Sequence, residues 1–282
     1  MASENVLVHI DRHAFRLSEV LYEVGSSGGS YFHDSSIGYL TIAYSIDEVM
    51  LTSHKFDDSV VYCGTAWDAA VGRSKRLQIV YTYITKFLYA FTAYEALVME
   101  ISERQISGSK TAYIRNKVYR SKIMPASHRE STEALICLLT DVFKNRIGDF
   151  EKYLTDSDEY KVNFLNRGIL VISALRNNFV HGASFHESYA THGVDDLKMV
   201  QIMQLSRRII FNTMQILIAD HYSDTLDSKM HHFCSLIHAD EHHPTLEQAV
   251  TDLALYNPIF HSDKPRISSE EIMSQIRKAA EY

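Results

Sequence analysis

The 282-residue sequence predicts an all-α protein: a central four-helix bundle with an N-terminal extension and a C-terminal helical tail. Three observations predict it. Four long segments in the middle of the chain carry apolar residues at alternating spacings of three and four, the period of a helix with one buried face. None of the four prolines falls between Pro125 and Pro244, so nothing there breaks a helix by removing an N–H. Strict apolar–polar alternation, the strand signal, is sparse.

The elements follow in order. Residues 1–70 form an extension of uncertain fold, with a helix near 11–24, the flexible "GSSGGS", and then "IGYLTIAYSIDEVM", which reads as either helix or strand. Residues 71–223 hold the bundle. Its first helix, about 74–106, places Leu77, Val80, Ile84, Phe87, Phe91, Tyr94, Val98 and Ile101 on one stripe. The second, about 128–147, opens with Ser127 and Glu130 at capping-box spacing and stops at Gly148. The third, about 158–181, opens in "DSDE", whose carboxylates suit a helix N-terminus, and closes at Gly182. The fourth, about 195–222, is marked by Met199, Met203, Ile210, Met214 and Leu217. Residues 224–282 form an acidic, His-rich tail with short helices near 245–256 and 268–280, parted by Asn257-Pro258.

Composition narrows the classes of function. An apolar fraction of 46% supports a packed core and argues against a disordered chain. The window Ile79 to Ile101 carries Lys86, Glu95 and Glu100, which fits a buried helix rather than a membrane span. Three widely separated cysteines and no signal-like start give an expected cytoplasmic location and no membrane partner. The net charge of −7 argues against a general nucleic-acid coat. It is uneven: about −6 in residues 1–60, about −5 in 224–282 and about +4 between them, so any phosphate-binding surface is local and central.

One stretch stands apart, "RNNFVHG" at the end of the third helix. At 100° per residue, Leu165, Ile169, Ile172, Leu175 and Phe179 cluster on the core side. Arg176, Asn177 and His181 fall roughly opposite, within an arc of about 140°, sharing it with Asn166, Ser173 and Val180. Arginine offers a fork of donors that fits phosphate oxygens, and histidine exchanges protons near neutral pH. Two copies across a two-fold axis would supply both an acid and a base. With 15 histidines in the chain, the Arg-to-His spacing by itself carries little weight. A surface arginine with asparagines and a histidine stopping a helix is the competing account.

"LRNNFVHG", closing the third helix of a four-helix bundle, resembles the signature of the HEPN superfamily: Arg, a polar residue, three variable residues, then His, often followed by Gly. Arg176, Asn177, His181 and Gly182 match it, and "FTAYEALVMEI" resembles that family's first helix, with its glutamate among aromatic residues. The resemblance covers about residues 74–223. It implies a homodimeric, metal-independent endoribonuclease without a cofactor, acting on RNA in a toxin–antitoxin or phage-defence setting. His181 would be general acid/base, Arg176 would stabilise the charge on the phosphorane, and Asn177 would position one of them. An antitoxin or a nucleotidyltransferase partner belongs to the same picture. A subgroup carries a partner-modified tyrosine two residues after the histidine. Here Ala183 stands there, which puts that control in doubt. Two further readings stay open: a non-catalytic module binding nucleotide or protein, and a purely structural bundle.

Other segments compete for attention. "YIRNKVYRSK" interleaves Arg115, Lys117, Arg120 and Lys122 with tyrosines, a pattern suited to single-stranded RNA, and His186 follows the motif closely enough to touch substrate. Arg207-Arg208 is a weaker basic pair. His231, Cys234, His238 and His242 would share a helical face with zinc-like ligand types. That spacing runs too long for one ion to gather all four, so no metal is expected. Glu95, at the edge of the first helix's stripe, suits hydrogen bonding into the site or pairing with a buried arginine, and a structural role is favoured over a direct one.

Overall fold

The computed structural model describes residues 9–26, 33–51, 64–102, 127–142, 148–180 and 193–237. Among them there are helices and no strand. They are α1 (Ile10–Ser26), α2 (Asp34–Ser45), α3 (Gly64–Ile101), α4 (Ser127–Val142), α5 (Gly148–Leu154), α6 (Arg167–Val180) and α7 (Gly193–Ile237). The chain is thus all-α over this extent, and no helix of the described residues is long and apolar enough to cross a membrane.

The hub is α7, which packs against α1, α3, α4 and α6, while α2 lies on α1 and α3. Every residue from Ser206 to Ala219 is buried, so this helix is covered on all sides rather than along one stripe. Ile209, Ile210, Phe211, Met214, Ile216 and Ile218 supply its apolar cover, each worth about 1.5–3 kcal/mol once buried. The same core takes in Ala14, Leu17, Val20 and Leu21 of α1. The ambiguous segment 37–50 is helical up to Ser45. Ile46 then turns extended at φ −66°, ψ 114°, and the following segment leans on α3. There Val49 N–H donates to Thr82 Oγ1 at 2.9 Å and Leu51 N–H to Gln78 Oε1 at 3.2 Å.

Boundaries differ from the sequence reading at several points. The first central helix runs from Gly64 to Ile101, not from about 74 to 106. The third central helix begins at Arg167, not near 158. "DSDE" belongs to a tight turn closed by Ser157 and Val162, whose backbones exchange hydrogen bonds of 2.9 and 2.8 Å, with Lys161 at φ 50°. Asn163 caps α6 instead: its Oδ1 accepts from Leu165 N–H and Asn166 N–H, and its carbonyl accepts from Arg167 N–H. Asn166, assigned from the sequence to the exposed arc, is wholly buried in this turn, where Nδ2 donates to the Lys161 carbonyl. The fourth helix, expected to end near 222, breaks there, with Tyr222 at φ −106°, ψ 17°, and resumes to Ile237.

Gly168 marks a close approach of α6 to α4 and α7. A Cβ built there would lie 2.6 Å from Thr132 Oγ1 and 2.7 Å from Ile209 Cγ2. Neither atom yields easily, because Thr132 Oγ1 is tied to the His128 carbonyl and Ile209 is a β-branched core residue. Gly168→Ala is therefore expected to destabilise the fold by about 1–3 kcal/mol, overriding alanine's better helix propensity. The shift of the urea midpoint measures it; an unchanged or raised midpoint contradicts this packing.

Two buried histidines make stability depend on pH. His13 Nδ1 accepts from Arg208 Nη1 at 2.9 Å, and His128 Nε2 donates to the Leu165 carbonyl at 2.7 Å. Burial, reinforced by the Arg208 charge at His13, holds both well or clearly below the ordinary 6.5. Below pH 6.5 the unfolded chain takes up protons that these folded rings refuse, so stability present at neutral pH is lost on acidification. The slope approaches about 1.4 kcal/mol per pH unit for each ring. Urea unfolding at pH 7 and pH 5.5 is expected to differ by about 2 kcal/mol, the lower pH being less stable.

Candidate functional site

The Arg176 motif sits where the last turn of α6 meets the C-terminal half of α3. Phe179 anchors that turn, with its ring 6.1 Å from Phe87 and tilted against it. Arg176 is thereby laid over α3 rather than pointed into solvent: its guanidinium carbon is 5.6 Å from the centre of the Phe91 ring. Arg176 Nη2 donates to Glu95 Oε2 at 3.4 Å, and Nη1 donates to the Asn177 side-chain oxygen at 3.2 Å. Both members of the ion pair remain part-exposed. Beneath them Tyr94 is buried, and its hydroxyl is pushed well above the usual tyrosine range by burial and then by the nearby Glu95 charge.

The geometry has a chemical meaning. An exposed arginine–glutamate pair adds only about 0–1 kcal/mol of stability. Its effect is to hold a guanidinium in one place, over an aromatic ring, where the end of α6 meets α3. The pair engages one nitrogen with the carboxylate and another with Asn177, and the guanidinium still reaches solvent.

The structure brings Arg176, Asn177 and Glu95 together. Asn177 is exposed, and Val180 is 55% exposed, so the end of α6 faces outward. His181 lies outside the described residues, as do Arg115, Lys117, Arg120, Lys122 and His186. Of the tail histidines, His238 and His242 lie outside as well, and the helix through His231 and Cys234 is described only in its backbone. Among the described residues no group of His, Cys, Asp and Glu could hold a metal ion. The Arg207-Arg208 pair is corrected: Arg207 is 0% and Arg208 9% exposed, so neither offers an RNA-facing surface. On a helix covered on every side, adjacent residues are all interior.

A second polar cluster escaped the sequence. His33, before α2, joins Glu100 of α3 through Nδ1 at 3.0 Å and meets the Tyr222 hydroxyl through Nε2. Ser36 adds its backbone N–H, at 3.3 Å, and its hydroxyl to the Glu100 carboxylate. Burial, then the Glu100 charge, pushes the Tyr222 hydroxyl up to about 12. Three elements distant in sequence are thus tied at the point where α7 breaks. No local spacing signals such a cluster. In the sequence Glu100 stood out only as a charge inside an apolar window.

A comparison of the chain with protein-family models, with curated proteins and with solved structures finds no match.

Proposed function

We propose that the chain is a metal-independent endoribonuclease of the HEPN type, working as a homodimer in a toxin–antitoxin or phage-defence role. The observation that carries this reading is Arg176 held over Phe91 by Glu95 at the solvent-reaching end of α6, five residues before His181. In the proposed reaction the ribose 2′-hydroxyl attacks the adjacent phosphorus and the 5′-oxygen leaves. His181 from one protomer takes the 2′ proton, and its counterpart gives a proton to the leaving oxygen. Arg176 neutralises the charge growing on the phosphorane oxygens. Glu95 is a positioning residue that keeps the guanidinium from swinging away between turnovers.

The test is chemical. Full-length protein incubated with total cellular RNA in excess chelator is expected to leave 2′,3′-cyclic phosphate and 5′-hydroxyl ends. Ends bearing 5′-phosphate, or cleavage that chelator abolishes, would replace this chemistry by a metal-dependent one. One observation favours the non-catalytic reading: Arg176 already has a carboxylate counter-ion. In that case RNA is bound and recovered intact.

A further inference from the structure

A different site lies where α7 breaks at Tyr222. His33 Nδ1 is 3.0 Å from Glu100 Oε2. A carboxylate only accepts, so Nδ1 carries the ring proton and donates it. That leaves the lone pair of Nε2 to accept from the Tyr222 hydroxyl. Glu100 is itself fixed, because its carboxylate accepts from the Ser36 N–H at 3.3 Å and from the Ser36 hydroxyl. The His33 and Tyr222 rings meet edge-on, with centroids 5.5 Å apart and planes at 85°. Ser36, Glu100, His33 and Tyr222 thus form one hydrogen-bonded chain that ends on a phenol.

The order of groups is that of an activated hydroxyl: a nucleophile, a base within hydrogen-bond reach of it, and a carboxylate that orients the base. His33 is only 2% exposed, whereas Tyr222 is part-exposed and directly follows the exposed Asp220 and His221. The base is therefore shielded from water while the nucleophilic residue reaches the surface. Burial, then the Glu100 charge, holds the phenol up at about 12, so it is no phenolate at rest. It attacks only if its proton leaves as the new bond forms, and His33 is the group placed to take that proton. The Glu100 charge then stabilises the imidazolium. The same charge repels an incoming anion, which favours an uncharged carbonyl over a phosphate as the electrophile.

We propose that Tyr222 is the nucleophile of an acyl-accepting site whose substrates are activated esters or thioesters. The phenolic oxygen bonds to the carbonyl carbon while His33 Nε2 takes the phenol's proton. The tetrahedral adduct expels its alcohol or thiol, to which His33 returns that proton, and Tyr222 is left as an aryl ester. Glu100 is a positioning residue that fixes the tautomer of His33. The site uses none of Arg176, Asn177 and His181 and is independent of RNA cleavage.

The full chain treated with para-nitrophenyl acetate tests it. A burst of nitrophenolate is expected, with the acetyl group found on Tyr222 by mass spectrometry of an acid-quenched digest. Tyr222→Phe keeps the ring and is expected to abolish the part of the burst that this acetyl group accounts for. His33→Gln is expected to slow acetylation of Tyr222 about a hundredfold or more. Glu100→Gln keeps an acceptor for His33 Nδ1 but not the charge. It is expected to lower the maximal rate about tenfold and to leave the half-saturating ester concentration unchanged, and it decides the matter if His33→Gln does not fold. An unaltered chain that gains no acetyl group on Tyr222 overturns the proposal, and so does Tyr222 acetylation at an unchanged rate in the folded variant.

Discussion

Arg176→Ala and His181→Ala are each expected to cut the rate of RNA cleavage by about a hundredfold or more, with the fold intact. The histidine figure follows from general acid–base catalysis, which contributes about 10²–10⁴. The arginine figure follows from the removal of a donor aimed at developing charge, about 10²–10³. The arginine change is benign to the core. Arg176 is part-exposed at the end of its helix, and its ion pair contributes little to stability. Arg176→Lys is expected to restore little, since an ammonium neither stacks flat on Phe91 nor presents a fork to phosphate. Glu95→Gln keeps a hydrogen-bond acceptor beside Arg176 and is expected to cost less, about tenfold, as a positioning residue should. Single-turnover rates on one defined RNA measure all four. If Arg176→Ala and His181→Ala cleave as fast as the unaltered chain, the ribonuclease assignment is wrong.

Local chemistry explains which parts of this fold could be read in advance. The apolar stripe of α3 was visible because Phe87, Phe91, Tyr94, Val98 and Ile101 repeat at helical spacing, and all five are buried. The start of α4 was visible because Ser127 and Glu130 together mark a helix opening, and the helix begins at Ser127 with Glu130 in its first turn. The start of α6 was not, because two signals competed. Acidic "DSDE" suits a helix N-terminus, but Asn163 caps better, and the left-handed Lys161 closes a turn first. Nor was the central place of α7 legible. Arg207 and Arg208 read as a weak basic pair on an outer face, yet both are buried, Arg207 bonded to Asp11 and Arg208 to His13.

The candidate site divides along the same line. Arg176 and Asn177 were found by their type and their place at a helix end. Glu95 was expected either to hydrogen-bond into the site or to pair with a buried arginine, and its partner Arg176 is part-exposed. What spacing cannot supply is the pairing itself, which spans 81 positions of sequence. The His33–Glu100–Tyr222 cluster is harder still, because it joins three helices through single residues that carry no motif. Long-range polar contacts of this kind leave a trace only as an out-of-place charge, such as Glu100 or Lys86 within an apolar run.

Such an out-of-place charge leads to the largest expected effect on stability. Asp11→Asn removes the carboxylate that Lys86 and Arg207 share and leaves both cations interior. Breaking a buried pair from one side costs about 3–5 kcal/mol. Asp11 is a quarter exposed, so water offsets part of this, and about 3 kcal/mol is expected from urea unfolding at pH 7. The sign of the pH dependence follows. Lys86 and Arg207 hold the Asp11 carboxyl below its ordinary 3.8 against the opposing effect of burial, so its stabilisation is present above that pH and lost on going lower. The variant should therefore lack the unaltered chain's loss of stability in strong acid. Adding Arg207→Met to Asp11→Asn is expected to recover much of the loss, because it removes a stranded charge rather than a contact. If the two changes simply add, Asp11 and Arg207 are not coupled, and the interior ion cluster does not hold α1 against α7.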